Sequence, residues 1–227
     1  MINEYNASAW GHTSILNFFD RMRLTTSHIY PSEWFFLKDK LVENISVLDI
    51  GCAKGGMANV LAEHLKHFQY TGVDINAQMI ATARERFPQH SFHQILEEDY
   101  SLLMDEKFDL VLCLGILHLH ECWRSTIRLA WQHTKKSLIL DLRETHLASI
   151  ENKSEAYFKM DFDNTDNPDS DYILPYNIIN TSEALAVINE ICPDATRIAH
   201  YGYTQKLSKL TVSPIAAVMA NVYCIER

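Results

Sequence analysis

The sequence predicts an α/β fold: a doubly wound, mostly parallel sheet of seven strands with an antiparallel C-terminal strand, an N-terminal helical arm and a late inserted cap. Three observations carry this expectation. Short apolar runs alternate with amphipathic helical stretches from about residue 46 to 142, the rhythm of repeated βαβ units. "KFDLVLCLG" (107–115) is almost continuously apolar, as a parallel strand covered on both faces must be. Finally, "ATRIAHYGY" and "IAAVMANVYCIE" are separated only by "TQKLSKLTVSP", which has no helical pattern, so these two strands are expected to be antiparallel neighbours.

Each element follows from local pattern. Residues 1–45 form the arm, with "SILNFFDRM" and "SEWFFLKDKLVEN" carrying apolar residues at helical spacing and Pro31 opening the second piece. "SVLDI" (46–50) is a short buried strand, and "GGMANVLAEHLKHF" a helix with Met57, Val60, Leu61 and Leu65 on one face. "QYTGVDI" (69–75) is the second strand. Asn76 caps the helix "AQMIATARERF", and Pro88 stops it. "SFHQIL" (91–96) is a third strand, followed by the acidic "EEDY". After the 107–115 strand, "CWRSTIRLAWQHT" is an amphipathic helix and "SLILDL" (137–142) the fifth strand. The cap insertion, about 146–175, contains the turn-rich "NTDNPDSD". "NTSEALAVINEI" then begins with a capping signal at Thr181 or Ser182 ahead of Glu183. The core is expected to span 46–227, one domain overall.

Composition narrows the function. With 47% apolar and 11% aromatic residues in 227, the chain builds a real core. The formal charge is −9 and no Lys/Arg run exceeds two, which disfavours a nucleic-acid partner. Five cysteines without a CxxC pair read as thiols of a reducing compartment. No signal peptide is evident at the start, and the longest apolar stretch is too short to span a bilayer, so a soluble cytoplasmic protein is expected.

The chemistry centres on "VLDIGCAKGG" (47–56), a strand running into a glycine turn. Such a unit offers N–H groups at a helix start. Gly51 and Gly56 fit the dinucleotide fingerprint GxGxxG, but its middle position is Ala53, and Asp49 would repel a pyrophosphate. A cationic ligand suits Asp49 better. Asp74, 23 residues after Gly51 and at the end of the second strand, is spaced to accept hydrogen bonds from ribose hydroxyls.

Taken in order, "VLDIGCAKGG", "YTGVDINAQMIATARERF", "EEDY" and "FDLVLCLGILHLH" resemble the class I S-adenosylmethionine-dependent methyltransferases, over about residues 34–142, and the two closing strands resemble that family's last two. The resemblance implies a Rossmann-like methyltransferase fold with S-adenosylmethionine as cofactor and S-adenosylhomocysteine as product. It implies that Asp49, Gly51, Cys52, Ala53 and Gly55 line the methionine end, that Asp74 binds ribose, and that Ile75 and Met79 pack on adenine. Among Glu97, Glu98 and Asp99, either Glu98 or Asp99 is favoured to meet the adenine amino group, while Leu114 and Gly115 approach the sulfonium. Ala53 departs from the family's usual glycine, a change tolerated if its φ is negative.

His118, three residues past Gly115, is the leading candidate for a catalytic base, with His120 behind it. "HxHEC" matches no closed zinc pattern, so no metal is expected. A small-molecule methyl acceptor is expected to meet Tyr5 and Trp10 of the arm and Tyr172, Tyr176 and Tyr203 of the late segments. An RNA 2′-O-methyltransferase is disfavoured because "SLILDLRE" has no lysine. A non-catalytic binding protein is disfavoured because nothing structural demands Asp49, Gly51 and Asp74 together. Protein substrates stay open, and so does the oligomeric state.

Overall fold

A computed structural model of the chain describes residues 2–96, 100–160 and 172–227. The arm holds α1 (Ile2–Trp10), α2 (Thr13–Phe19) and α3 (Pro31–Leu37). The core follows with β1 (Ile45–Ile50), α4 (Gly56–Ala62), β2 (Phe68–Asp74), α5 (Ala77–Arg86), β3 (Ser91–Gln94), β4 (Phe108–Cys113), α6 (Trp123–Gln132) and β5 (Thr134–Thr145). The late part holds β6 (Tyr157–Lys159), β7 (Ile173–Pro175), β8 (Ile179–Asn180), α7 (Thr181–Ile191), β9 (Arg197–Lys206), β10 (Thr211–Val212) and β11 (Ala217–Glu226).

The main sheet runs β3-β2-β1-β4-β5-β11-β9, with β8 added beside β5. β1 pairs in parallel with both β2 and β4, whereas β11 is antiparallel to both β5 and β9. The expected closing pair is therefore present. The side-chain period of two explains why β4 is apolar from Leu110 to Cys113. Leu110 and Leu112 enter the cluster with α4 and α5, while Val111 and Cys113 enter the opposite one with α6 and α7. Both faces are covered from Leu110 to Cys113, while Asp109, at the start of the strand, is engaged by Ser46 and Lys136.

Because β1 leads outward to β2 and β3 while β4 leads the other way to β5, the loops after β1 and β4 diverge. That divergence leaves a crevice at the carboxyl ends of the strands. A third apolar cluster, including Ala9, Ile15, Met79, Leu119, Met160 and Leu174, packs the arm and cap over this end.

Several local expectations are corrected. The helix expected to reach residue 68 ends at Ala62, because β2 must begin at Phe68 opposite Ile45. The reversal is held by Glu43, whose carboxylate accepts from the Lys66 and His67 N–H groups. The N-cap of α7 is Asn180, which accepts from Ser182 and Glu183 N–H, in place of Thr181 or Ser182. The cap is more than turns: β6 and β7 form a small antiparallel sheet with β10, a strand lying inside the connection that had no periodicity of its own. The segment 164–171 lies outside the described residues. Among the described residues, no helix is long and apolar enough to cross a membrane.

Candidate cofactor and acceptor site

The crevice holds a cavity of about 630 Å³, within the range of small-molecule sites. It is lined by the β1 and β4 loops, by residues after β2, and by the underside of the arm. Of the residues singled out in the sequence, Trp10, Asp49, Gly51, Cys52, Ala53, Asp74, Ile75, Met79, Leu114, Gly115 and His118 line it.

The glycine turn departs from the expectation of free backbone donors. Gly51 and Cys52 N–H both donate to the Val73 carbonyl, at 2.8 and 3.0 Å, and Ala53 N–H donates to Asp74 Oδ2 at 2.9 Å. With these donors satisfied, the turn is not an anion nest. What it offers is close approach: Gly51 has φ +79°, and a Cβ there would stand 2.6 Å from Ile116 Cγ2. Ala53 also corrects an expectation, for its φ is +47°, in the left-handed region that disfavours a side chain. The Asp74 hydrogen bond to its own N–H helps hold it there.

Two carboxylates frame the turn. Asp49 is buried, accepts from the Tyr70 hydroxyl at 2.5 Å, and has its pKa pushed up to about 6, chiefly by desolvation. Asp74 is fixed at both oxygens, Oδ2 by Ala53 N–H and Oδ1 by Asn76 N–H at 2.9 Å. Burial raises its pKa while these backbone donors oppose the shift. The carboxylate keeps acceptor capacity beyond these bonds for a ligand. Beside them Cys52 is a buried thiol whose pKa burial pushes far up, so it lines the cavity as a neutral group.

Other expected residues are placed elsewhere. Gly55 does not line the cavity; it caps α4 in the left-handed conformation, backed by Phe92 and Phe87. Tyr5 and Tyr172 pack on one another at 5.4 Å, and the Tyr5 hydroxyl accepts from Ile173 N–H, tying α1 to β7. Tyr176 is buried behind the cavity wall, and Tyr203 on β9 does not reach the lining either. Tyr5 and Tyr172 thus join arm to cap, and Tyr176 packs between His118 and Phe158. Glu97, Glu98 and Asp99 lie outside the described residues.

The structure adds groups the sequence did not single out. Arg23 lines the cavity with φ +56°, and its Nη2 donates to Glu33 Oε1 at 2.9 Å. Lys54, in the turn itself, reaches Asp20 at 2.7 Å, and Arg86 reaches the same carboxylate at 2.5 Å. Arg143, on β5, also lines the cavity. No periodicity or motif marks these cations; each is identified only by what folding places opposite it.

At the β4 end, Gly115 N–H donates to Asp141 Oδ1 at 2.5 Å, and Arg143 Nη1 donates to Asp141 Oδ2 at 2.5 Å. The Arg143 guanidinium also hydrogen-bonds Tyr176. The His118 ring meets the Tyr176 ring edge-on at 5.2 Å. Burial, reinforced by Arg143, lowers the His118 pKa to about 3, so its imidazole is neutral. Among the described residues, no group of three or more His, Cys, Asp or Glu is placed to hold a metal ion.

Comparison with known proteins agrees with this geometry. Residues 48–138 match the family model described as "Methyltransferase domain". A non-reducing polyketide synthase of Emericella nidulans is 31% identical over 97 residues, 37% of this chain and 4% of that protein. A trans-aconitate 2-methyltransferase of Rhodopseudomonas palustris is 31% identical over 83 residues, 37% of this chain and 30% of that protein. The chain thus spans under a third of either relative. Among solved structures, the N-terminal domain of EvdMO1, crystallised in the presence of SAH and D-fucose, has a TM-score of 0.61 at 10% identity, over 87% of this chain and 84% of that one. That likeness is one of fold, and it extends beyond the matched domain across nearly the whole chain. Domain match, sheet order and the acid-framed glycine turn agree: residues 48–138 match a methyltransferase domain, and the chain has the Rossmann-like fold of class I S-adenosylmethionine-dependent methyltransferases.

Proposed function

We propose that the protein transfers a methyl group from S-adenosylmethionine to a small-molecule acceptor by in-line displacement. The observation that carries this reading is the turn itself, with its Gly51, Cys52 and Ala53 N–H donors satisfied internally and two carboxylates, Asp49 and Asp74, on the cavity wall. An anionic pyrophosphate meets two carboxylates there and finds the Gly51, Cys52 and Ala53 donors already engaged. A ligand bearing an ammonium, a sulfonium and a ribose diol finds carboxylate acceptors and favourable charge.

When bound, the cofactor supplies an electrophilic methyl group on a positively charged sulfur. The chain's own residues then hold and orient. Asp49 faces the cationic amino group, and Gly51 and Gly115 admit the ligand without side-chain obstruction. Asp74 accepts from the ribose hydroxyls; Ile75 and Met79 pack on the base. Arg23, close enough to Asp49 for their charges to interact, suits the methionine carboxylate. Enclosure by α1, α2 and the small sheet favours a compact acceptor over a polymer, and positions it near attack geometry. At the acceptor end His118 stands beside Leu114 and Gly115. All five cysteines are free thiols, which suits a reducing cytoplasm.

Calorimetry with S-adenosylhomocysteine tests the reading directly: binding is expected, and none at millimolar ligand overturns it. Asp74→Ala is expected to weaken that binding at least about tenfold, ~1.4 kcal/mol. Unchanged affinity in the folded variant would remove Asp74 from the ribose role.

A further inference from the structure

The acceptor end of the cavity has a chemical character of its own. A guanidinium carries five N–H donors. In Arg143 one nitrogen is engaged by Asp141 and a bond goes to Tyr176, yet Nε finds no partner among the described residues. The neighbouring His118 is only 7% exposed, and its Nδ1 is likewise without a partner among the described residues. Buried polar atoms left unsatisfied are uncommon and call for an explanation. Both side chains line the cavity, next to the Gly115 turn that Asp141 secures.

We propose that the methyl acceptor is a small carboxylic acid, bound as its carboxylate against Arg143 and His118 and released as a methyl ester. This rests on the methyl-transfer reading above and deepens it. Toward the arm and cap the cavity also presents Phe18, Phe19, Met22, Ile29 and Phe158, which suits an acid whose remaining body is largely apolar.

The chemistry separates acceptors by the proton each must lose. An amine near pKa ~10 or a phenol near ~10 has to be deprotonated before it attacks. His118, with its pKa lowered to about 3, is roughly seven units too weak to take that proton. The Arg143 charge further repels an ammonium. A carboxylate arrives already ionised. Its oxygen lone pair forms the O–CH3 bond while the CH3–S bond breaks and its electron pair stays on sulfur. One negative and one positive charge cancel, no proton moves, and no oxidant or reductant is needed. His118 in this scheme orients the carboxylate by hydrogen bonding and carries no proton away.

The test compares acids with their uncharged isosteres on the unaltered protein saturated with S-adenosylhomocysteine. Cinnamate, phenylacetate and octanoate are titrated by calorimetry beside their amides. At least one acid is expected to bind tenfold or more tighter than its amide. With methyl-labelled S-adenosylmethionine, that acid is expected to yield a base-labile product releasing labelled methanol. R143Q is expected to lose the acid preference at least tenfold while keeping affinity for S-adenosylhomocysteine within about threefold, and R143K to retain part of it. Thermal melting monitors folding, since R143Q leaves Asp141 buried without its cation; the acid–amide comparison needs no variant. If S-adenosylhomocysteine binds but acids and amides bind equally or not at all, the carboxylate proposal is overturned and the methyl-transfer reading stands. Methylation of an amine or phenol panel in preference to the acids overturns it as well. Failure of S-adenosylhomocysteine to bind removes both.

Discussion

Asp49 shows most sharply what the site asks of a single side chain. Desolvation raises its pKa from 3.8 to about 6, so the folded protein holds this proton more tightly than the unfolded chain does. The sign follows from linkage: the stabilising contribution is complete below about pH 4 and is lost as pH rises through about 6. At 1.36 kcal/mol per unit this reaches ~3 kcal/mol. Asp49→Asn is therefore expected to gain stability relative to the parent as pH rises from 4.5 to 7, measured by urea unfolding. A cationic ligand reverses the logic, because it stabilises the ionised form. Affinity for S-adenosylhomocysteine is expected to rise across the same interval and to become flat in Asp49→Asn. Ala53 is the complementary residue, with a backbone conformation chosen by the turn against its own preference. A sequence shows that alanine replaces glycine, but φ is set by the hydrogen bonds to Val73 and Asp74 that only the neighbouring strand supplies.

Among the elements, the arm is the most dependent on tertiary partners. α2 is seven residues long, too short to persist alone in water. It is held over the cavity by the Phe18, Phe19 and Trp10 rings and by Asp20, which receives both Lys54 and Arg86. Asp20 is 38% exposed, so the pairs add under about 1 kcal/mol to global stability. Their effect is local, because one of the two cations belongs to the glycine turn. Asp20→Ala is expected to leave the midpoint of unfolding nearly unchanged while increasing proteolytic cleavage within the arm and the off-rate of S-adenosylhomocysteine. Equal off-rates in parent and variant would show that the clasp does not gate the site. Tyr5 and Tyr172 act at the same scale. They read in the sequence as pocket aromatics because a hydroxyl-tipped ring suits a pocket wall and an arm–cap seam alike.

The whole molecule is a sheet whose two faces are both covered, and its stability resides there. Leu112, fully buried at the centre of β4, packs in the cluster with α4 and α5. Leu112→Ala is expected to cost about 2–5 kcal/mol, seen as a lower denaturation midpoint at an unchanged slope. Much of this architecture is legible from one dimension. The period of apolar residues specified the parallel strands, the alternation with helices specified the winding, and Asn76 before "AQMIATARERF" marked its cap, which the side-chain bond to Met79 N–H realises. The acid-framed turn was legible for the same reason: Asp49 and Asp74 lie on the adjacent strands β1 and β2, with Gly51 just past β1, so their spacing along the chain reflects their spacing in space. Asp141, Arg143, His118 and Tyr176 come from β5, the β4 loop and the cap, and Arg23 comes from the arm. Their meeting depends on long-range closure that leaves no local periodic trace. Sequence alone thus determined the fold and the glycine-turn end of the cavity, where neighbouring strands set the geometry. Tertiary structure alone decided the opposite end, around Arg143 and His118, because a buried charge acquires its chemistry from whatever distant groups surround it.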